Sequence, residues 1–212
     1  LKRSKGFTLV ELLVVISILG ILMAVLLPRI FSGQESGYNF ACKTNLRRIY
    51  EMLHQYKQNH HGWPREGGVR FLLAPTKDPD IWEGTQTEIG YYFCPSVRSD
   101  SQGYQKALAA DEWPPPLDQV TSEDTSYAGR DIKNYPRIRN SNREPIASDD
   151  NEGSSNHPGS MNVLFGGGMV QQFLYQDWKD KGLIDPEADT VEVGPESPIK
   201  TKKCDLTKLK VD

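Results

Sequence analysis

The chain has 212 residues and a formal net charge of −3, with charged residues at 25%. That balance excludes the overall pull toward nucleic acid that a strongly basic protein has, and the length is enough for one domain with a real core. Three cysteines occur without a C-x-x-C, so no zinc or redox motif has support from spacing.

The first predicted element is an apolar run from Phe7 to Leu27, stopping at Pro28. As a helix it spans about 31 Å, the thickness of a bilayer's hydrocarbon core. Lys2, Arg3 and Lys5 precede it, which predicts a short N-terminus in the cytoplasm and the remainder outside. A cleaved secretory signal would have a shorter apolar core and small residues at the cut, and Pro28-Arg29-Ile30-Phe31-Ser32-Gly33 fits that poorly.

Glu11 is the one charge inside the run. A carboxylate in a span costs roughly 2.5–3.5 kcal/mol on insertion scales, so one that persists has a partner or a task. A cut between Gly6 and Phe7 would place a new α-ammonium four residues before it, on the same helix face. A neighbouring chain shifted along the axis would then pair the two charges. A plain anchor with Glu11 near the headgroups is the alternative, and the charge alone does not separate them.

Lys5-Gly6-Phe7-Thr8-Leu9-Val10-Glu11-Leu12 resembles the prepilin motif of type IV pilins and type II secretion pseudopilins. The resemblance implies that a prepilin peptidase cuts after Gly6 and N-methylates Phe7. It implies too that Glu11, with Thr8 beside it in the motif, guides assembly into a helical filament. Gly20 and Pro28 match a Gly and a Pro of family spans, between which the helix loosens in filaments. The motif covers about the first thirty residues and does not itself identify the outer domain.

Past Pro28 the chain turns amphipathic. Phe40, Ala41, Leu46, Ile49, Met52, Leu53 and Tyr56 recur at steps of three and four, predicting a helix with one buried face that ends at Gly62-Trp63-Pro64. Residues 7 to about 59 therefore read as one long helix bent at Pro28, with Ser32-Gly33 and Gly37 as places for a local break. His60 and His61 at its end read as a solvated last turn rather than a metal site. With Cys42, Cys94 and Cys204 outside the membrane, one disulfide is permitted. Cys42 with Cys94 is the expected pair, tying helix to domain, and reduced buried thiols remain the alternative.

Residues 65–90 predict a loop with one helical turn at Val69–Leu73. Tyr91–Pro95, Thr125–Gly129 and Ile146–Ser148 read as short strands, and residues 99–120, with Trp113-Pro114-Pro115-Pro116, as an exposed excursion. Arg137, Arg139 and Arg143, with Lys133, form a basic stretch that acids nearby dilute, so a solvated loop is expected over a DNA contact. Asp149, Asp150, Asn151 and Glu152 before Gly153 offer oxygens of the kind Ca²⁺ takes, although EF-hand spacing is absent; a simple acidic turn is the alternative.

Met161 to Leu174 holds two apolar runs separated by Gly166-Gly167-Gly168, a hairpin signal. His157 and Asn162-Val163-Leu164-Phe165, with Cys94-Pro95 and Ser126-Tyr127, resemble prepilin-like proteins of planctomycete-type bacteria. In those, Asp stands where this chain has Gly167, which removes a carboxylate that a ligand pair with His157 would need. No nucleophile motif accompanies His157, so it reads as structural. Tyr175–Leu183 predicts a short helix with Leu174 and Trp178 inward, and 185–212 a loosely held tail with one edge strand near 205–211.

The expected architecture is an α+β, pilin-like fold, a long helix packed on a small antiparallel sheet. Its expected segments are a leader (1–6), an assembly half-helix (7–28), an amphipathic half-helix (29–62), a periplasmic domain (63–184) and a tail (185–212). The resemblance implies a structural subunit of a pilus or secretion filament, without enzymatic activity or a required cofactor, anchored in the bacterial inner membrane. It implies as partners a prepilin peptidase, an assembly ATPase with its membrane platform, and sibling pilins. Two rival readings are a minor pilin at a filament tip that captures DNA, through Arg137–Arg143, or another surface ligand and, more weakly, an anchored hydrolase using His157.

Overall fold

The computed structural model describes residues 8–139, 141–149 and 156–211, with backbone alone over 27–32. It divides into two compact units, Leu1–Gly37 and Tyr38–Asp212. Helix α1 (Leu9–Asn59) is assigned without interruption through Pro28, Gly33 and Gly37, so the expected local break is absent. In the first unit, the side chains from Leu9 to Leu26 are exposed throughout.

In the second unit, α1 turns Cys42, Leu46, Ile49 and Leu53 into the core, each 0% exposed, at helical steps of four, three and four. Phe40, counted in the buried face from its period, is 71% exposed and stands off that line. The helix closes with Gly62 N–H returning to the Lys57 carbonyl and His61 at φ 55°. Asp78 sits against this end, accepting from Asn59 Nδ2 and lying 3.1 Å from His60 Nε2.

Helix α2 (Val69–Leu73) is the expected turn, with four of its side chains buried. The strand expected at Tyr91–Pro95 does not form. Helix α3 (Gln86–Tyr91) occupies its start because Thr85 and Glu88 make a reciprocal capping box. The aromatic run that followed strand-like composition instead turns Tyr92, Phe93 and Cys94 into the core. Helix α4 (Gln102–Ala109), capped by Ser101, corrects the exposed excursion: Ala107, Trp113 and Val120 are buried, and Trp113 packs against Trp82, Tyr92 and Phe93.

Among the described residues, five strands form one antiparallel sheet: β1 (Ala128–Arg130), β2 (Pro145–Ser148), β3 (Ser160–Phe165), β4 (Val170–Leu174) and β5 (Leu209–Lys210), in the order β4-β3-β2-β1-β5. The triple-glycine hairpin joins β3 to β4 as expected, with Gly168 at φ 83°. Along β3 the pleat sends Leu164 to the core built on α1 and Met161, Val163 and Phe165 to a second core on the opposite face. That second face is covered by α5 (Tyr175–Lys179) and by Val191, Val193, Ile199, Cys204, Leu206 and Leu209. The C-terminal segment is therefore not loose; without it the second face of the sheet would lie in water. Trp178 faces inward as expected, whereas Leu174 is 48% exposed.

Candidate functional site

Two places concentrate polar groups against apolar surroundings, and the first is the start of α1. Thr8 N and Oγ1 both donate to Glu11 Oε2, at 2.9 and 2.7 Å, and Glu11 N donates to Thr8 Oγ1 at 3.3 Å. This is a capping box, in which a side chain at each position satisfies a donor that the helix start leaves free. The Glu11 carboxylate is thus tied to its own helix end. After it, Leu9–Leu26 is helical with a mean hydropathy of 2.9 and none of it buried within the fold. Ser17 Oγ donates to the Leu13 carbonyl at 2.7 Å, so its hydroxyl adds no unpaired donor to an apolar surrounding. A Cβ at Gly20 would meet nothing within 4 Å. Gly6 and Phe7 lie outside the described residues.

The second place is the buried junction between α1, the segment after α3, the end of β2 and the residues before β3. Cys42, Cys94, Asp149 and His157 converge there, each 0% or 1% exposed. All three cysteines are free in this structure, and Cys42 and Cys94 stand as two buried thiols, the alternative to the expected disulfide. Each sulfur has further partners, Cys42 Sγ with Asp149 Oδ2 at 3.2 Å and Cys94 Sγ with His157 Nε2 at 3.3 Å. Asp149 Oδ2 also lies 3.4 Å from His157 Nε2.

Asn162 fixes the carboxylate, donating N–H to Oδ1 at 2.7 Å and Nδ2 to Oδ2 at 2.6 Å. Tyr127 Oη stands 3.5 Å from Cys42 Sγ, and Ser96 Oγ 3.0 Å from Cys94 Sγ. Burial raises the Asp149 carboxyl to about 6. Neighbouring polar groups, Cys42 first and then His157 and Ser96, hold the Cys94 thiol down at about 5, while burial drives Cys42 itself well up.

Of the expected calcium set, Asp149 is turned into the core, 1% exposed and held by Asn162, and Asp150, Asn151 and Glu152 lie outside the described residues. His157 precedes β3 and Gly167 follows it, so a carboxylate at 167 would stand a strand's length from the imidazole. Asp149 takes that place instead. A nucleophilic role for Cys94 with His157 meets a steric obstacle, because both are 0% exposed and no substrate reaches them in this fold.

Arg137, Arg139 and Arg143 are exposed on an irregular loop. That loop is tied down by Arg130, which sequence reasoning missed. Arg130 is 1% exposed and donates to the carbonyls of Tyr135, Arg137 and Pro145 and, at 2.6 Å, to Glu144 Oε1. Asn162 and Tyr127 stand out in the sequence only as motif residues, not for the contacts they make here. Their partners lie in other elements, so local spacing carries no signal of them.

Comparison with known proteins places the first of these two sites in context. Residues 1–27 match the family model described as the prokaryotic N-terminal methylation motif. Type II secretion system core protein G of Pseudomonas aeruginosa is 27% identical over 114 residues, covering 53% of this chain and 70% of that one. The protein of the same name from Escherichia coli is 26% identical over 113 residues, 52% of this chain and 68% of that one. Competence protein ComGC of Halalkalibacterium halodurans is 31% identical over 80 residues, 34% of this chain and 78% of that one. No solved structure matches the chain.

Proposed function

The chain belongs to the type IV pilin-like family that carries the N-terminal methylation motif, and from that premise we propose how its parts serve a filament. It is a structural subunit, a pseudopilin of a type II secretion-like or type IV pilus-like filament, and it assembles with sibling pilins. The observation that carries the reading is Leu9–Leu26, eighteen helical residues of mean hydropathy 2.9 with no cover in their own fold. Such a surface needs lipid before assembly and other helices after it.

In this reading a prepilin peptidase cuts after Gly6 and methylates Phe7. The apolar half of α1 anchors the subunit in the inner membrane with residues 1–6 inside and the outer domain in the periplasm. An assembly ATPase and its membrane platform then extract it. The Thr8–Glu11 capping box supports the role given to Glu11. It holds one carboxylate oxygen in place one turn from the new α-ammonium, where a neighbouring chain's terminus reaches it. Gly20, open on all sides, leaves room for close approach of a second helix.

Intact mass and N-terminal sequencing of the protein from native membranes test this. A chain beginning at Phe7 and heavier by one methyl group is expected. An unprocessed terminus in cells with active peptidase would reduce the first thirty residues to a plain anchor.

A further inference from the structure

We propose that Cys42, Cys94, His157 and Asp149 form a closed four-coordinate site for one zinc-type divalent cation that locks α1 onto the sheet. The ligand atoms of Cys42, Cys94 and His157 all lie within 4.8 Å of one another. Asp149 Oδ2, 3.2 Å from Cys42 Sγ and 3.4 Å from His157 Nε2, stands outside that mutual set and is assigned here as the fourth ligand, closing toward Cys94 when the ion binds. Around a tetrahedral ion with bonds of 2.0–2.3 Å, neighbouring ligand atoms stand roughly 3.3–3.8 Å apart. Three of the six ligand pairs stand 3.2, 3.3 and 3.4 Å apart, at or just under the short end of that range.

Hydrogen bonding alone explains the arrangement poorly. Cys94 Sγ and Asp149 Oδ2 both approach the same imidazole nitrogen, which has a single proton or a single lone pair to offer. Two thiols, a carboxylate and an imidazole are also brought together where water does not reach, at 0% or 1% exposure. Burying such groups is costly without a compensating charge. A dication supplies that charge and turns the shared direction of the four groups into bonds.

The donor set selects the metal. Two sulfurs and an imidazole suit zinc and disfavour calcium or magnesium, which want six or more oxygens or an octahedral oxygen shell. Full enclosure with four protein ligands points to a structural ion, since a catalytic one keeps an open position. The surrounding bonds are those a metal's outer shell makes: Asn162 grips both oxygens of Asp149, Tyr127 reaches Cys42 and Ser96 reaches Cys94. The four ligands come from α1, the segment after α3, the end of β2 and the lead into β3. One ion thus joins the helix to the sheet beside the second half of α1.

The test uses the full chain in detergent, reduced, loaded with Zn²⁺ and dialysed, with bound metal measured by mass spectrometry. One zinc per chain is expected, falling to background in Cys94→Ser and His157→Gln and retained in Cys204→Ser, whose cysteine lies in the other core. Because misfolding of the first two variants would lose metal as well, wild-type protein is also loaded with Co²⁺. It should show the intense visible absorption of a tetrahedral site and a near-ultraviolet thiolate charge-transfer band. A wild-type chain that retains no zinc, or binds cobalt without the thiolate band, overturns the proposal. So does a Cys42–Cys94 disulfide in protein mapped directly from membranes.

Discussion

Asn162 grips Asp149 with two hydrogen bonds, N–H to Oδ1 at 2.7 Å and Nδ2 to Oδ2 at 2.6 Å, in a core where neither residue is more than 1% exposed. The strand that supplies Asn162 thereby sets the direction of a carboxylate thirteen residues earlier in the chain. Asn162→Ala removes the Nδ2 donor and leaves one oxygen short of a partner, which costs about 1–3 kcal/mol. Urea denaturation of the full chain should show a lower midpoint, and an unchanged midpoint would mean the pair carries little of the core's stability.

The buried line of α1 is separable from its exposed side. Leu46→Ala, at a site 0% exposed, should destabilise the domain by about 2–5 kcal/mol. Phe40→Ala, at 71% exposed, should stay within about 0.5 kcal/mol of wild type. Thermal melts of the two variants side by side check both, and equal losses would contradict the helix register seen here.

Gly129 has no room for a side chain. A Cβ there would lie 2.0 Å from the Gly68 carbonyl oxygen, which belongs to backbone and does not swing aside. Gly129→Ala should therefore cost at least the about 1–3 kcal/mol of an overpacked core, read as a lowered melting midpoint. Gly20→Ala, with open space around it, should leave the isolated subunit's melt unchanged.

Glu11 has two separable properties, its hydrogen bonds to Thr8 and its charge. Glutamine keeps the capping geometry and loses the charge. If the charge sets register between subunits, Glu11→Gln and Glu11→Ala should both insert into membranes normally and both fail to enter filaments. Cross-linking of neighbouring subunits in sheared filaments reads the outcome, and normal entry of the glutamine variant would assign the residue's role to capping alone.

The Asp78 carboxyl is held below its usual value, first by the Asn59 amide and then by the Asp80 N–H, with His60 adding to both. A carboxylate with a lowered folded pKa contributes stability above its unfolded value, near 3.8, and loses it as pH falls through the lower folded value. Melting midpoints recorded downward from about pH 5 should fall more steeply in wild type than in Asp78→Asn. Parallel curves would remove Asp78 from the acid response.

The sequence by itself determined the features that depend on near neighbours. The apolar run and Glu11 state the anchor and its family, the steps among Leu46, Ile49 and Leu53 state the buried face of α1, and Gly166-Gly167-Gly168 states the β3–β4 turn. Each is set within a few residues along one helix or one hairpin, where period and backbone freedom act directly. Local propensity failed where tertiary contacts prevailed. Tyr91–Pro95 has strand composition yet follows a capped helix, and the Pro- and Lys-containing C-terminal segment buries Val191, Ile199 and Leu206 because the sheet's second face needs cover.

Only the tertiary structure decided that Cys42, Cys94, Asp149 and His157 meet, and that the aspartate beside the imidazole comes from the end of β2 rather than from position 167. Cys42 and Asp149 are 107 residues apart, and Cys94 and His157 are 63 apart. At such separations no spacing rule applies. Their meeting follows from the pairing of β2 with β3 and the packing of α1 against that sheet, which are consequences of burying both faces at once.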